Sequence, residues 1–223
     1  MPKQRHASAK RSRRSCDARS PRPGGRLRAV NPADPSSEPW REDLRRLDLG
    51  VYAAIAATPT PKLDALFRRV SAAADHSRLW IASAALMATA GGKAGRRAAA
   101  DGLTSIALTS GTVNLVLKPL GGRRRPNRDT HQVPVARQVA MPQSTSFPSG
   151  HAASAFAFAA AAAYTVPALG FPLKAAAAVV AYSRVHTGVH YPADVVVGAV
   201  TGAALAPLAV AARRRRRASI TQN

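Results

Sequence analysis

Apolar positions fall into three regimes along the chain. Residues 1–40 are rich in Arg, Ser, Pro and Gly and hold almost no large aliphatic side chains. That composition cannot bury a core, so a disordered basic tail is expected there. Between Trp40 and Arg69, Leu44, Leu47, Val51, Ala54 and Ile55 recur at helical spacing. A break at Thr58-Pro-Thr-Pro61 follows, and Leu63, Leu66, Phe67 and Val70 form a second stripe. Both pieces are too short to cross a bilayer. Residues 41–78 are therefore expected to form amphipathic helices at a membrane surface, with docking onto a soluble helical body as the alternative.

The third regime begins at Leu79, where long uncharged runs appear. Leu79–Gly92 is uncharged but short, Ala98–Leu117 carries one charge (Asp101), and Ala152–Leu173 carries none. Leu169–Ser183 is broken only by Lys174, and Val195–Ala212 is uncharged up to the run Arg213–Arg217. A spanning helix needs about 20 apolar residues. Two or three runs reach that length and the alanine-rich remainder are marginal. Apolar runs alternating with basic loops favour a membrane over a buried soluble bundle. The expected fold is all-α: a membrane-embedded helical bundle of about five spanning helices, or six. Residues 79–212 would be the membrane domain and residues 213–223 a basic C-terminal tail.

Charge sharpens this picture. Lys and Arg number 33 against 11 Asp and Glu, a formal net charge of +22. Such a balance points to nucleic acid, anionic lipid or a phosphorylated substrate. Thirteen of the cations precede Leu47, so the tail accounts for much of the excess. The single cysteine, Cys16, excludes an internal disulfide and a cysteine-built metal site.

Three polar clusters interrupt the apolar body. The first, Lys118-Pro-Leu-Gly-Gly-Arg-Arg-Arg-Pro126, ends one apolar run and opens a long loop, 118–148. Arginine offers a planar fork to phosphate oxygens and lysine a point charge. The second, Phe147-Pro-Ser-Gly-His151, opens the next run. Ser149 suits an N-cap, and the amides at Gly150 would face an anion at a helix start, with His151 on the rim. The third runs from Ser183 to Asp194 and holds Arg184, His186, His190 and Asp194. Pro192 suits a first helical turn. A helix starting near Tyr191 places the Asp194 carboxylate within reach of one His190 ring nitrogen, leaving the other as nucleophile or base. Counting helices puts all three clusters at one end of the bundle.

Together these clusters resemble the three signature motifs of the type-2 phosphatidic acid phosphatase and vanadium haloperoxidase superfamily. Lys118 with Arg125-Pro126 matches the first, Pro148-Ser149-Gly150-His151 the second, and Ser183-Arg184, His190 and Asp194 the third. The resemblance covers roughly residues 63–212 and extends to the phosphatase half of actinobacterial phosphatase–lipid kinase fusions. It implies that His190 attacks phosphorus, that Asp194 holds its ring, and that His151 protonates the leaving oxygen and then activates water. It also implies that Lys118, Arg125, Ser149, Gly150 and Arg184 hold the phosphoryl oxygens, without a metal or other cofactor. The implied activity is that of a membrane lipid phosphatase acting on phosphatidic acid, phosphatidylglycerol phosphate or a polyprenyl phosphate. A polyprenyl-phosphate sugar precursor of the cell wall is among the candidates, and no nucleic-acid partner is expected. A vanadate-dependent haloperoxidase and a non-catalytic basic membrane adaptor are the alternatives.

The remaining polar residues carry lesser expectations. His186 is read as loop structure or a secondary substrate contact, and His76 with Asp75 as an interfacial anchor. Arg123 and Arg124 are read as headgroup or substrate-edge contacts, and His131 is given no role. The turns opposite the three clusters carry Lys93, Arg96, Arg97, Lys174 and Arg213–Arg217. By the positive-inside rule those turns are cytoplasmic and the active site of this multi-pass chain extracytoplasmic. Five spans would leave the basic N-terminal tail on the active side, and a partial sixth crossing near residues 47–58 would return it.

Overall fold

The computed structural model describes residues 39–222, so the expected disordered tail lies outside the described residues up to position 38. The described chain forms one compact unit that is helical throughout its regular structure. Its elements are α1 (Pro39–Ala57), α2 (Pro61–Ala73), α3 (Arg78–Ala90), α4 (Gly92–Thr112), α5 (Lys118–Gly121), α6 (Gly150–Thr165), α7 (Gly170–His186) and α8 (Pro192–Gln222). A one-turn π-helical segment, Val113–Leu117, joins α4 to α5.

Helix α6 is the axis of the bundle, packed against α4, α7 and α8. It is apolar all round, which is the pattern of a helix buried on every side. Ala152, Ala153, Ala155, Ala157, Phe158, Ala159, Ala161 and Ala162 are all fully buried. Small side chains let the neighbouring backbones close in. On α8, a Cβ at Gly198 would strike the Ser149 carbonyl, and one at Gly202 the Ala153 carbonyl and the Ala157 amide. On α4, Gly102 leaves the space that the Phe158 ring fills, and that ring meets Trp80 of α3 at 5.5 Å between centroids.

Two of the sequence-predicted apolar runs are cut differently. The run 152–173 is not one helix, because Val166 leaves the helical region and Pro167 follows. Helices α6 and α7 therefore form a tight hairpin. The basic C-terminal stretch is not a loose tail. Arginine is a good helix former, and α8 continues through Arg213–Arg217 to Gln222. Within α8, 29 residues (Pro192–Ile220) are long and apolar enough to cross a membrane.

The first two helices belong to the same compact unit as the rest. Helix α1 turns Asp48, Tyr52 and Ala56 inward and leaves Trp40, Leu44, Leu47 and Val51 exposed. It is tied down by the long loop. Arg137, buried in that loop, donates to the carbonyls of Ile55 (3.0 Å) and Thr58 (2.5 Å), and its Nε to Asp64 of α2 (2.8 Å). These carbonyls are the unsatisfied acceptors at the end of a helix, so one arginine closes α1 and pins α2.

Candidate active site

The structure gathers all eight sequence-predicted site residues at one end of the bundle, where the α4–α6 loop meets the α7–α8 turn. Helix α7 ends at His186, and Gly188, with φ +73°, turns the chain left-handed. A Cβ there would sit 3.1–3.3 Å from Tyr52, Arg128 and Val133, so the position demands glycine in both conformation and space. The turn delivers His190 to the end of α8. Pro192 occupies the first helical position, and the Tyr191 N–H donates to Asp194 Oδ2 (3.0 Å). This is the reach-back half of a capping box, made here by an aspartate.

His190 is held from both sides of its ring. Nε2 lies 3.2 Å from Arg125 Nη1, while Nδ1 lies 3.4 Å from Ser146 Oγ and 3.5 Å from Asp194 Oδ2. A guanidinium only donates, so Nε2 is the acceptor and the ring is neutral with its hydrogen on Nδ1. Burial, reinforced by the Arg125 and Arg184 cations against the Asp194 hydrogen bond, pushes the His190 pKa down to about 4. Ser146 stands between the pair, since its hydroxyl donates to Asp194 Oδ2 in a short hydrogen bond.

Asp194 Oδ1 takes Arg123 Nη1 (2.9 Å), and Arg123 Nη2 takes Asp48 Oδ2 (2.6 Å). The other Asp48 oxygen accepts the Ala193 N–H in the first turn of α8 (2.7 Å), and the Arg123 guanidinium lies 4.0 Å over the Tyr191 ring. Arg123 is therefore a bridge between two buried carboxylates.

The cations come from both flanks. Arg125 is fixed by the carbonyls of Ser144 (2.8 Å) and Val189 (2.9 Å), and Lys118 Nζ donates to Ser144 Oγ (3.0 Å). Arg184 donates to Ser71 Oγ (2.5 Å) and lies 3.6 Å from Asp75, yet its buried Nε has no hydrogen-bond partner among the described residues. Ser149 caps α6 with its side chain, and its own N–H donates to the Asp194 carbonyl (2.9 Å), which ties the second cluster to the third. Gly150 leaves open space up to Lys118 Nζ, 3.9 Å from where a Cβ would stand. A cavity of about 210 Å³ opens here, lined by Lys118, Gly150, His151, Trp80, Ser110 and Asn114 among others.

His151 Nε2 lies 2.8 Å from Asp75 Oδ1. A carboxylate only accepts, so Nε2 carries the hydrogen and Nδ1 is the ring atom left to act. Asp75 is thus the hydrogen-bond partner of a predicted site residue. His186 is buried beneath the site with Nε2 2.9 Å from Thr60 Oγ1 and 3.4 Å from Asp64, which makes it part of the framework. The residues that sequence reasoning missed are Ser146, Asp75, Asp48 and Ser71. One signal did exist. In a chain with 11 acids against 33 Lys and Arg, an aspartate next to an apolar run needs a partner.

Comparisons with known proteins identify the family and the fold. The PAP2 superfamily model matches residues 99–218. The decaprenylphosphoryl-5-phosphoribose phosphatase of Mycolicibacterium smegmatis is 35% identical over 154 residues, covering 67% of this chain and 78% of the relative. Its namesake from Mycobacterium tuberculosis is 33% identical over 165 residues, covering 73% and 88%. Among solved structures, Aquifex aeolicus LpxE superposes with a TM-score of 0.59 at 24% identity, covering 74% of this chain and 94% of that one. The transmembrane PAP2-type phosphatidylglycerolphosphate phosphatase of Bacillus subtilis gives 0.58 at 22%, covering 78% and 87%. These two share the fold. A helical bundle with this constellation at one end, matched over more than half its length by the family model, belongs to the PAP2 superfamily.

Proposed function

We propose that the chain is a multi-pass membrane phosphatase that removes the terminal phosphate of a polyprenyl-phosphate sugar lipid through a phosphohistidine. The observation that carries the mechanism is the anchored ring of His190: Nδ1 faces Asp194 and Ser146, and Nε2 offers its lone pair beside Arg125.

In the first step Nε2 attacks phosphorus. The N–P bond forms, the bond to the leaving alcohol oxygen breaks, and His151, which enters as the imidazolium with its Nε2–H on Asp75, gives that oxygen its Nδ1 proton and becomes neutral. Asp194 stabilises the ring as it becomes cationic. In the second step His151 takes a proton from water, the water oxygen attacks phosphorus, and the N–P bond breaks to release phosphate. Lys118, Arg125, Arg184, the Ser149 hydroxyl and the Gly150 amide hold the phosphoryl oxygens. The unpartnered Nε of Arg184 fits that role, because a buried donor without an acceptor is costly until an anion arrives.

The substrate class rests on the mycobacterial relatives, whose names specify a decaprenyl-linked phosphoribose. The cationic turns at the far end of the helices favour an active site outside the cytoplasm. Phosphate release by the purified protein should be measured against polyprenyl-phosphate sugar phosphates, phosphatidic acid and phosphatidylglycerol phosphate. Preference for the first class is expected, and turnover should vanish in His190→Ala. Normal turnover in His190→Ala would overturn the mechanism. Preference for a glycerolipid would overturn the substrate class alone.

A further inference from the structure

The end of the bundle opposite His190 carries a second concave cationic surface. A groove of about 600 Å³ lies between the start of α4, the end of α6 and the arginine run of α8. Its walls include Arg97, Thr165, Arg213, Arg214 and Arg217, and the cationic surface continues to Lys93 and Arg96. From Arg97 to Lys118 the chain climbs 21 residues, about 30 Å at helical rise. That is roughly the hydrocarbon thickness of a bilayer. The groove and the active site therefore sit at opposite interfaces if α4 spans.

Two features distinguish this groove from cations scattered on a loop. First, its floor is built. Asp101 is fully buried, holds Arg213 Nε at 2.5 Å and accepts the Thr165 hydroxyl at 2.6 Å. Arg213 also reaches the Arg97 carbonyl (3.4 Å), and Arg214 the Thr165 hydroxyl (3.3 Å). Second, cationic side chains outnumber acidic ones among the described residues of the lining. Lys93 and Arg97 are four residues apart on α4, as are Arg213 and Arg217 on α8, and these two cationic ladders line the adjoining depression into which the groove continues. Among the described residues, Asp101 is the one acidic residue of the lining. Like charges at this spacing destabilise a helix, and a bound anion relieves the repulsion.

We propose that this groove is a phosphate-binding site separate from the catalytic one, taking the headgroup phosphate of an anionic phospholipid in the leaflet opposite the active site. Guanidinium forks match phosphate oxygens, the volume lies in the range of about 300–1,000 Å³ usual for ligand sites, and basic pockets between membrane helices bind such headgroups. The reading does not depend on the catalytic substrate.

The test uses the full chain in nanodiscs of neutral phosphatidylcholine, with phosphatidylglycerol raised stepwise to about a third of the lipid. Melting temperature and the phosphatidylglycerol retained in native mass spectrometry are read together. A gain of roughly 3–6 °C is expected, on the scale of ~2–4 °C per kcal/mol for a chain of this size. In Arg97→Gln/Arg214→Gln/Arg217→Gln most of the gain should disappear. The active site is common to both proteins and cancels in the comparison. Turnover in neutral discs, within about twofold of wild type, establishes that the variant is folded. The matching Arg→Lys triple should keep most of the gain, which preserves the test if the glutamine variant is unstable. Soluble pyrophosphate in neutral discs forms the second arm. Stabilisation by pyrophosphate without phosphatidylglycerol still supports a phosphate site but assigns it to a soluble anion. An equal gain in wild type and the glutamine variant, or no gain from either anion, overturns the proposal.

Discussion

Replacing Asp48 by alanine should slow catalysis although Asp48 lies in α1, outside the three signature motifs. Asp48 is buried and makes two charge-assisted hydrogen bonds, to Arg123 at 2.6 Å and to the Ala193 N–H at 2.7 Å. Each such bond contributes about 1.5–3 kcal/mol. Arg123 is partly exposed and keeps Asp194 at 2.9 Å, so its share is discounted. Losing the acceptor at the start of α8 costs about 1 kcal/mol, as losing a helix cap does. A total of about 2–4 kcal/mol follows for stability. Only part of it reaches the reacting ring, because Asp194 retains Ser146 and the Tyr191 N–H. If about 1.4–2.7 kcal/mol appears in the barrier, kcat falls roughly 10- to 100-fold.

Steady-state phosphate release separates this positioning role from substrate binding. Asp48 touches none of the groups assigned to the phosphoryl oxygens, so KM should stay within about threefold while kcat falls. Asp48→Asn keeps an oxygen for the Ala193 N–H and loses the charge facing Arg123, so an intermediate loss, about tenfold at most, is expected. The decisive comparison is a double-mutant cycle. On an Asp194→Asn background, Asp48→Ala should add little, because its effect passes through Asp194. Fully multiplicative losses, or a folded Asp48→Ala protein with kcat within twofold of wild type, would refute the coupling.

Four further outcomes follow from the same geometry. His190 is reactive when neutral, so the acid limb of kcat/KM should fall near pH 4 rather than near the ordinary histidine value; a limb at 6.5 would contradict the buried, cation-flanked ring. Since the folded pKa lies below the unfolded 6.5, this group's contribution to stability is complete above 6.5 and is lost as pH falls to about 4, at most about 3 kcal/mol, visible as a falling melting temperature. Gly202→Val would drive a side chain into the Ala153 carbonyl, and a loss of at least about 3 kcal/mol, read as a lower melting temperature or failure to accumulate, is expected. His186→Gln should cost about 1–2 kcal/mol of stability through its Thr60 contact yet leave kcat within about threefold, in contrast to His190→Ala.

Legibility in the sequence followed the range of the interaction. Local chemistry was readable: Ser149 caps α6, Pro192 opens α8, and the four-residue spacing of His190 and Asp194 places them within 3.5 Å. The convergence of three clusters at one end followed from helix parity. Non-local pairing was not readable. Asp48 and Arg123 are 75 positions apart, and Asp75 and His151 are 76 apart. No periodicity links them, because their meeting depends on how α1 and α2 lie across the end of the bundle. Helix boundaries within the alanine-rich runs were also obscure. Uniform small residues carry no amphipathic signal, so the break at Val166 and the continuation of α8 through five arginines depend on packing and side-chain partners rather than on pattern.

The scarcity of acids gives these distant contacts a common logic. Five aspartates of the described body, at positions 48, 64, 75, 101 and 194, each lie against an arginine: Arg123, Arg137, Arg184, Arg213 and again Arg123. A buried carboxylate is tolerated only when paired, and a converging set of cations is tolerated only when part of its charge is offset. In this chain the offsets are placed behind the cations. Asp75 backs Arg184 and leaves its Nε unpartnered, Asp101 backs Arg213 while leaving Arg214 bound through a neutral hydroxyl, and Asp48 with Asp194 neutralises Arg123. Lys118 and Arg125, by contrast, are held by neutral oxygens of Ser144 and Val189. Arg123, whose two terminal nitrogens face carboxylates, is thus distinguished from Arg125, whose partners are neutral, by what stands behind it. The same neutral backing recurs at Arg214, held by the Thr165 hydroxyl in the groove proposed for a second anion.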